Sequence, residues 1–236
     1  RSSVRRGICQ SCVTASESRR GSSRNRLICR LWLMQGANAL MGIITDYHRQ
    51  GSLMSIWSIQ RRQRCCRDMS TGSLGQGISA AVGMALAAKM DEKDYRVYTL
   101  LGDGEIQEGQ IWEAAMFAGH RNLHNLIVIV DNNGLQIDGK IEDVCSPYPI
   151  DKKFEAFNFH VINVENGNDM DQLAAAFAEA HTVKGMPTAI VMKTTKGKGV
   201  SFMENNAGWH GKAPNDEEFA IAMAELEKAG EALCQM

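Results

Sequence analysis

Leu101 to Ile137 reads LGDGEIQEGQIWEAAMFAGHRNLHNLIVIVDNNGLQI, and the fold of the chain turns on how this stretch is read. It opens with an acidic residue between two glycines, Gly102-Asp103-Gly104, and closes on a pair of amides, Asn132-Asn133. Leu100-Leu101 before the first group and Leu126 to Val130 before the second are short apolar runs that read as buried parallel strands, with a helix from about Gly109 to Ala118 between them. Both polar groups then fall at the carboxyl ends of neighbouring strands, where open α/β sheets bind ligands. A hard cation such as magnesium takes oxygen ligands in near-octahedral array, usually one or two protein groups together with phosphate oxygens and water. Asp103 and the Asn133 side-chain carbonyl are such oxygens. Glycines on either side of Asp103 let a diphosphate approach the backbone closely, and the helix start that follows favours phosphate. Taken singly, Asp103 reads equally as a turn cap and Asn132-Asn133 as an ordinary loop.

The pairing carries more than either part. GDG, then 27 residues, then NN resembles the thiamine-diphosphate signature of the transketolase family. TGSLGQG at Thr71 to Gly77, GDGEIQEGQIWEA, DNNGLQIDG, KTTKGKG at Lys193 to Gly199 and WHGK at Trp209 to Lys212 stand in that family's order, between Asp68 and the carboxyl end. The resemblance implies an α/β chain with a three-layer thiamine-diphosphate-binding fold, its central sheet mostly parallel and flanked by helices. It implies thiamine diphosphate and Mg2+ as cofactors. By the same resemblance Asp103, Asn133 and the Leu135 backbone carbonyl are the metal ligands, and Gly104 and Asn133 adjoin the diphosphate. Gly72 and Leu74 would lie against the aminopyrimidine end, Ile137 near the thiazolium ring, and Lys196 facing the cofactor. His210 matches the family histidine near the diphosphate and the reacting substrate carbonyl, where an imidazole can donate to an oxyanion or shuttle a proton.

Plainer readings stand beside these. TGSLGQG serves equally as a turn into a helix, and a lone histidine such as His210 is more often structural. Lys196 among glycines is a mobile phosphate-binding charge, whereas Lys198 reads as solvated. Glu108 and Glu113 match family glutamates near a subunit interface, although surface glutamates are commoner. His120 and His124 read as surface or packing residues.

The family resemblance implies a transferase of carbohydrate metabolism that moves a two-carbon ketol unit from a ketose phosphate to an aldose phosphate, with the cofactor carrying the hard chemistry. Family members use a second domain, usually from the opposite subunit, to hold the aminopyrimidine. No such domain follows Met236, so the expectation is a diphosphate-binding subunit paired with a C-terminal pyrimidine-binding transketolase subunit, as a heterotetramer with two of each chain. A truncated full-length enzyme is the near alternative. Another thiamine-diphosphate enzyme subunit, such as a 1-deoxyxylulose-5-phosphate synthase or an oxo-acid dehydrogenase chain, would share fold and metal site. EIQEGQIWEA and WHGK favour transketolase. A cofactor-binding chain with little activity is the remaining alternative.

Composition divides the 236 residues sharply. Residues 1–67 hold thirteen Arg, no Lys and only Glu17 and Asp46 as acids, a formal charge of +11, whereas the rest carries −12 and the whole −1. The near-neutral total argues against a wholly nucleic-acid-binding protein, and no apolar run reaches membrane-helix length. Cys9, Cys12, Cys29, Cys65 and Cys66 precede the boundary, and Cys145 and Cys234 follow it. Cys9 and Cys12 have zinc-like spacing without a second ligand pair. With an odd cysteine count and no secretory signal, the catalytic-looking part reads as reduced and cytoplasmic. An Arg-rich, acid-poor beginning resembles a transit peptide or a basic arm for phosphate backbones. Transketolases carry histidine motifs of the kinds SGHPGG and SKGHAA upstream of TGSLGQG, and neither occurs here; His48 fits neither. The leading expectation is that residues 1–67 are an atypical Arg/Cys-rich segment foreign to the domain, as a shifted reading frame would give, and that 68–236 form the thiamine-diphosphate domain.

Along the remainder, ISAAVGMALAAKM reads as a closely packed helix, Arg96 to Leu101 as the strand delivering Asp103, and Cys145 to Pro149 as irregular loop. Phe154 to Phe157 reads as a short helix and His160 to Val164 as a strand. Asn168 to Asp171 caps the amphipathic helix LAAAFAEAHTV. TAIVMK at Thr188 to Lys193 is a further buried strand, and Glu217 to Gln235 a closing amphipathic helix.

Overall fold

A computed structural model describes residues 53–57, 69–70 and 73–234. The main sheet has six strands: β1 (Leu53–Trp57), β2 (Met69–Ser70), β3 (Arg96–Gly102), β4 (Leu126–Asn132), β7 (His160–Val164) and β8 (Thr188–Lys193). Their order is β2-β1-β3-β4-β8-β7 and every pairing is parallel. Parallel neighbours need long crossovers, and from β2 to β8 helices supply them: α1 (Gln76–Met90), α2 (Gly109–His120), α3 (Ile141–Cys145), α4 (Ile150–Ala156) and α5 (Met170–Thr182). Helix α6 (Asp216–Cys234) follows β8. A two-residue antiparallel ribbon, β5 (Leu135–Gln136) with β6 (Gly139–Lys140), stands apart from the sheet.

Apolar runs without alternation are what a sheet covered on both faces requires. In β4, Leu126, Val128 and Val130 enter one core with Ile78, Ala81 and Ala85 of α1, Ile111 and Ala115 of α2 and Phe154 of α4. Ile127 and Ile129, pointing the other way, enter a second core with Leu173, Phe177 and Ala180 of α5. The result is helix, sheet, helix: the three layers expected. Burying a side chain such as Phe177 contributes about 1.5–3 kcal/mol, so each face stabilises the sheet independently. A third cluster, Val200, Met203, Ala222 and Leu226, holds α6 against the loop after β8.

Local signals account for the helix starts. Asp169 caps α5 by accepting from the N–H groups of Asp171 and Gln172. Asn215 and Glu218 exchange reciprocal bonds of 2.8 Å each, a capping box at α6. Several element boundaries shift by a residue or more from the sequence reading, and three of them bear on packing. Helix α2 runs two residues past Ala118, to His120. Helix α4 begins directly after Pro149, its extended N-cap residue, and ends at Ala156, not Phe154 to Phe157, with Phe154 fully buried as its core anchor. Cys145 closes the short helix α3, so irregular chain is confined to 146–149. Strand β1 was not anticipated, since LMSIW has no regular alternation; it pairs with β3 from Leu53↔Arg96 to Trp57↔Leu100. Gln235 lies outside the described residues.

Candidate cofactor site

Three adjacent strands end at one edge of the sheet. Gly102 of β3 is paired with Asp131 of β4, and Asn132 of β4 with Lys193 of β8. The ladder continues one step beyond: Asp103 N–H donates to the Asp131 carbonyl at 3.1 Å, and Thr194 N–H to the Asn132 carbonyl at 3.1 Å. GDG, NN and KTTKGKG, separated in the chain by 27 and then 59 residues, thereby meet, because the apolar runs before them are paired in register.

The Asp103 carboxylate, 2% exposed, accepts from Gly104 N–H at 2.9 Å and from Gly134 N–H at 2.5 Å. The second bond spans β3 to the turn after β4 and reaches the peptide that joins Asn133 to Gly134. Asn133 Oδ1 accepts from Leu135 N–H at 3.1 Å, and its Nδ2 donates to Asp131 Oδ1 at 3.5 Å. Thr194 donates its hydroxyl to the same Asp131 oxygen. The amide is thus held with its oxygen toward the 133–135 turn, and that oxygen keeps a second lone pair for a cation.

Charge is unbalanced here. Burial, then the Asp131 charge, raises the Asp103 pKa to about 6 against the bonds from Gly134 and Gly104. Burial raises that of Asp131 as well. Lys196 faces both: burial lowers its pKa while Asp131 and Asp103 pull it back. His210 is exposed by area, yet desolvation, followed by the Lys196 charge, lowers its pKa, leaving a neutral imidazole at pH 7. Two crowded carboxylates beside one half-buried ammonium make a site short of positive charge, which a divalent ion would relieve.

The loops on the β8 side are tightly seated. Lys196 carbonyl accepts from Asn205 N–H at 2.9 Å, and a Cβ on Gly197, whose φ is +74°, would lie 2.4 Å from the Met203 carbonyl oxygen. Thr195 N–H donates to Asn168 Oδ1 at 2.9 Å. Trp209, packed near Phe202 with its Nε1 donating to the Phe202 carbonyl at 3.0 Å, anchors the turn that carries His210. Lys198 is half-exposed and pairs with Glu204 at 3.3 Å. His120 is exposed and His124 half-buried.

Of the other expected contacts, Leu74 is 49% and Ile137 70% exposed, apolar side chains left toward solvent near this edge. Gly104 packs against Gln136, whose Cβ would be 3.3 Å from an added Cβ. Gly72 lies outside the described residues, as do His48 and the Cys9–Cys12 pair. Sequence reasoning passed over Glu105, Asp131 and Tyr148. Glu105, 2% exposed, accepts from Gly75 N–H at 3.0 Å and Gly102 N–H at 3.2 Å. Tyr148 donates to Asn132 Oδ1 at 2.7 Å, and the Asp103 charge helps raise its pKa, after burial. An acid directly after GDG was the available signal for Glu105; nothing local marked Tyr148.

The residues present fit a divalent ion with a diphosphate. Among the described residues no three His, Cys, Asp or Glu side chains gather as a metal group. The Asp103 carboxylate, bonded to Gly134 N–H, and the Asn133 amide oxygen, turned toward Leu135 N–H, are hard oxygen donors of the kind that leaves positions for phosphate oxygens and water. Beside them Gly134, at φ +74°, has nothing within 4 Å of where a Cβ would stand, so the backbone is open to a ligand.

The family model described as transketolase, thiamine diphosphate binding domain, matches residues 27–229. The chain belongs to this transketolase family. It is 48% identical over 163 residues to a 6-deoxy-6-sulfo-D-fructose transketolase subunit of a Clostridium species, covering 69% of this chain and 59% of that one. It is 42% identical over 166 residues to one chain of the apulose-4-phosphate transketolase of Phocaeicola vulgatus, covering 70% and 59%. The chain therefore spans under two thirds of the length of these relatives. Among solved structures, the transketolase of Campylobacter jejuni superposes with a TM-score of 0.62 at 34% identity, over 66% of this chain and 26% of that one. The transketolase family match starts well before Asp68, at residue 27.

Proposed function

We propose that this domain grips the diphosphate of thiamine diphosphate through Mg2+ held by Asp103, Asn133 and the Leu135 carbonyl. With a pyrimidine-binding partner it transfers a two-carbon ketol unit between sugar phosphates. The observation that carries this reading is the buried Asp103 carboxylate tied to the Asn133-Gly134 peptide at the carboxyl edge of a parallel sheet. When bound, the cofactor supplies the carbanion chemistry that amino-acid side chains lack. The chain's own residues orient and neutralise. Gly104 and Lys196 would meet diphosphate oxygens, Leu74 and Gly72 the aminopyrimidine end, and Ile137 the thiazolium ring. His210, neutral at pH 7, would donate to the substrate oxygen or carry its proton.

The relatives named as transketolase subunits support a partner chain, and we take it to be a C-terminal pyrimidine-binding subunit in a heterotetramer. The substrates in their names, a sulfonated sugar and a sugar phosphate, support a sugar substrate that carries an anionic group. Among the described residues no helix is long and apolar enough to cross a membrane, and we place the protein in the cytoplasm on its cysteine pattern. The foreign character of residues 1–67 is likewise our reading, resting on composition; β1 and the start of the family match both fall inside that range. Resequencing the coding region tests it, an uninterrupted frame through Arg67 removing the idea.

Titration calorimetry tests the central assignment. Thiamine diphosphate should give a heat with Mg2+ present that vanishes with a chelator, and Asp103→Asn should abolish the metal dependence. Equal heats with and without metal would overturn the proposed ligands.

A further inference from the structure

Glu105 sits outside the proposed ligand set, yet it is as buried as Asp103. Its two carboxylate oxygens face two different segments. Oε1 accepts from Gly75 N–H, 30 residues earlier, and Oε2 from Gly102 N–H in the strand that delivers Asp103. Gly75 directly follows Leu74, and Gly102 directly precedes Asp103. One side chain is therefore bonded one residue away from each of two groups expected at opposite ends of the cofactor.

The glycine loop lies against the turn that carries Glu105. Gly75 stands at φ +80° and α1 begins there without a side-chain cap. A Cβ at Gly75 would be 3.0 Å from the Glu108 Cβ, so the loop lies flat on the 105–108 turn. Gln110 Nε2 donates to Ser79 Oγ at 2.8 Å, but that bond is at the surface. A buried group between two N–H donors has to be a pure acceptor, and a carboxylate is the side chain with two acceptor oxygens and no donor. An amide in its place turns an NH2 on one of the two N–H groups.

We propose that Glu105 is a positioning residue that locks the Ser73–Gly75 loop to the Gly102–Gly104 turn, setting the span between the two ends of the bound cofactor. This rests on the thiamine-diphosphate reading above. It acts through backbone: neither carboxylate oxygen is required to touch cofactor or metal.

Glu105→Gln in the full chain tests it, with amide hydrogen exchange and thiamine diphosphate titrated in Mg2+ as paired readouts. Protection at the Gly75 or Gly102 amide is expected to fall about tenfold, the loss of one hydrogen bond to a charged acceptor. Cofactor affinity is expected to fall by a similar factor, about tenfold, as the span loosens. Exchange that rises while affinity holds would make Glu105 merely structural and overturn the proposal. If the variant does not fold, the wild-type chain decides alone: Gly75 and Gly102 should open together at one rate and be slowed together by cofactor, and independent rates would overturn the clamp. Failures are separable. A wild type that shows no magnesium-dependent heat overturns the cofactor reading and this inference with it, whereas a binding wild type with an indifferent Glu105→Gln variant overturns this inference alone.

Discussion

Asp103 and Glu105 are carboxylates that folding makes harder to ionise. Burial raises Asp103 from 3.8 to about 6 and Glu105 from 4.5 to about 6. Between those values the folded chain holds more protons than the unfolded one, so the metal-free protein should lose stability as pH climbs through this window and regain it on acidification. Magnesium and thiamine diphosphate demand the ionised form, so their affinity should rise over the same interval. Urea midpoints of the metal-free chain at pH 5 and 7 would check the first trend, and calorimetry at the same pH values the second; parallel trends would contradict the assignment. At the same scale, His210→Ala should leave cofactor affinity within about threefold while turnover with the partner drops about a hundredfold or more, the usual span for a lost proton-transfer group. These residues differ in how visible they were. Asp103 and Asn133 announce themselves through local words, GDG and NN. Glu105 is marked only by its place after GDG, and Asp131 and Tyr148 less still, since their roles reside in bonds to Gly75, Thr194 and Asn132, far away in sequence or unmarked by type.

The elements were largely readable because each carries its own period and stop signals. TAIVMK is a strand from Thr188 to Lys193 as read, and Asp169 caps α5 as expected of an acid before an amphipathic run. Losing that cap in Asp169→Ala should cost about 1 kcal/mol, measured by chemical denaturation. Where sequence and structure part, the deciding force lies between elements. Helix α2 continues to His120 because Gly119, second from its end, is pressed on the turn after α4: a Cβ there would lie 1.8 Å from the Phe157 carbonyl oxygen. Gly119→Ala should therefore destabilise by about 1–3 kcal/mol or more, as overpacking does, although alanine favours helix over glycine. A thermal melt that rises would refute this packing account. Ribbon β5-β6 and helix α3, each too short to show a period, escaped notice for the opposite reason.

For the whole molecule, the parallel sheet with cores on both faces explains how one chain can hold three motifs at a single edge. Turnover with sugar phosphates is expected from a mixture with a pyrimidine-binding chain and not from this polypeptide alone; activity of the isolated chain would count against the split arrangement. Sequence by itself determined the layered α/β class, the strands that carry Asp103, Asn133 and Lys196, and the family, because apolar runs, glycine loops and caps are local matters of burial and backbone freedom. Tertiary structure alone decided which strands are neighbours, that Asp103 is bonded to the peptide after Asn133, and that Glu105 spans Gly75 and Gly102. Those are distances between segments about 30 residues apart, and they come into being only when the two faces of the sheet are buried together and its register is set.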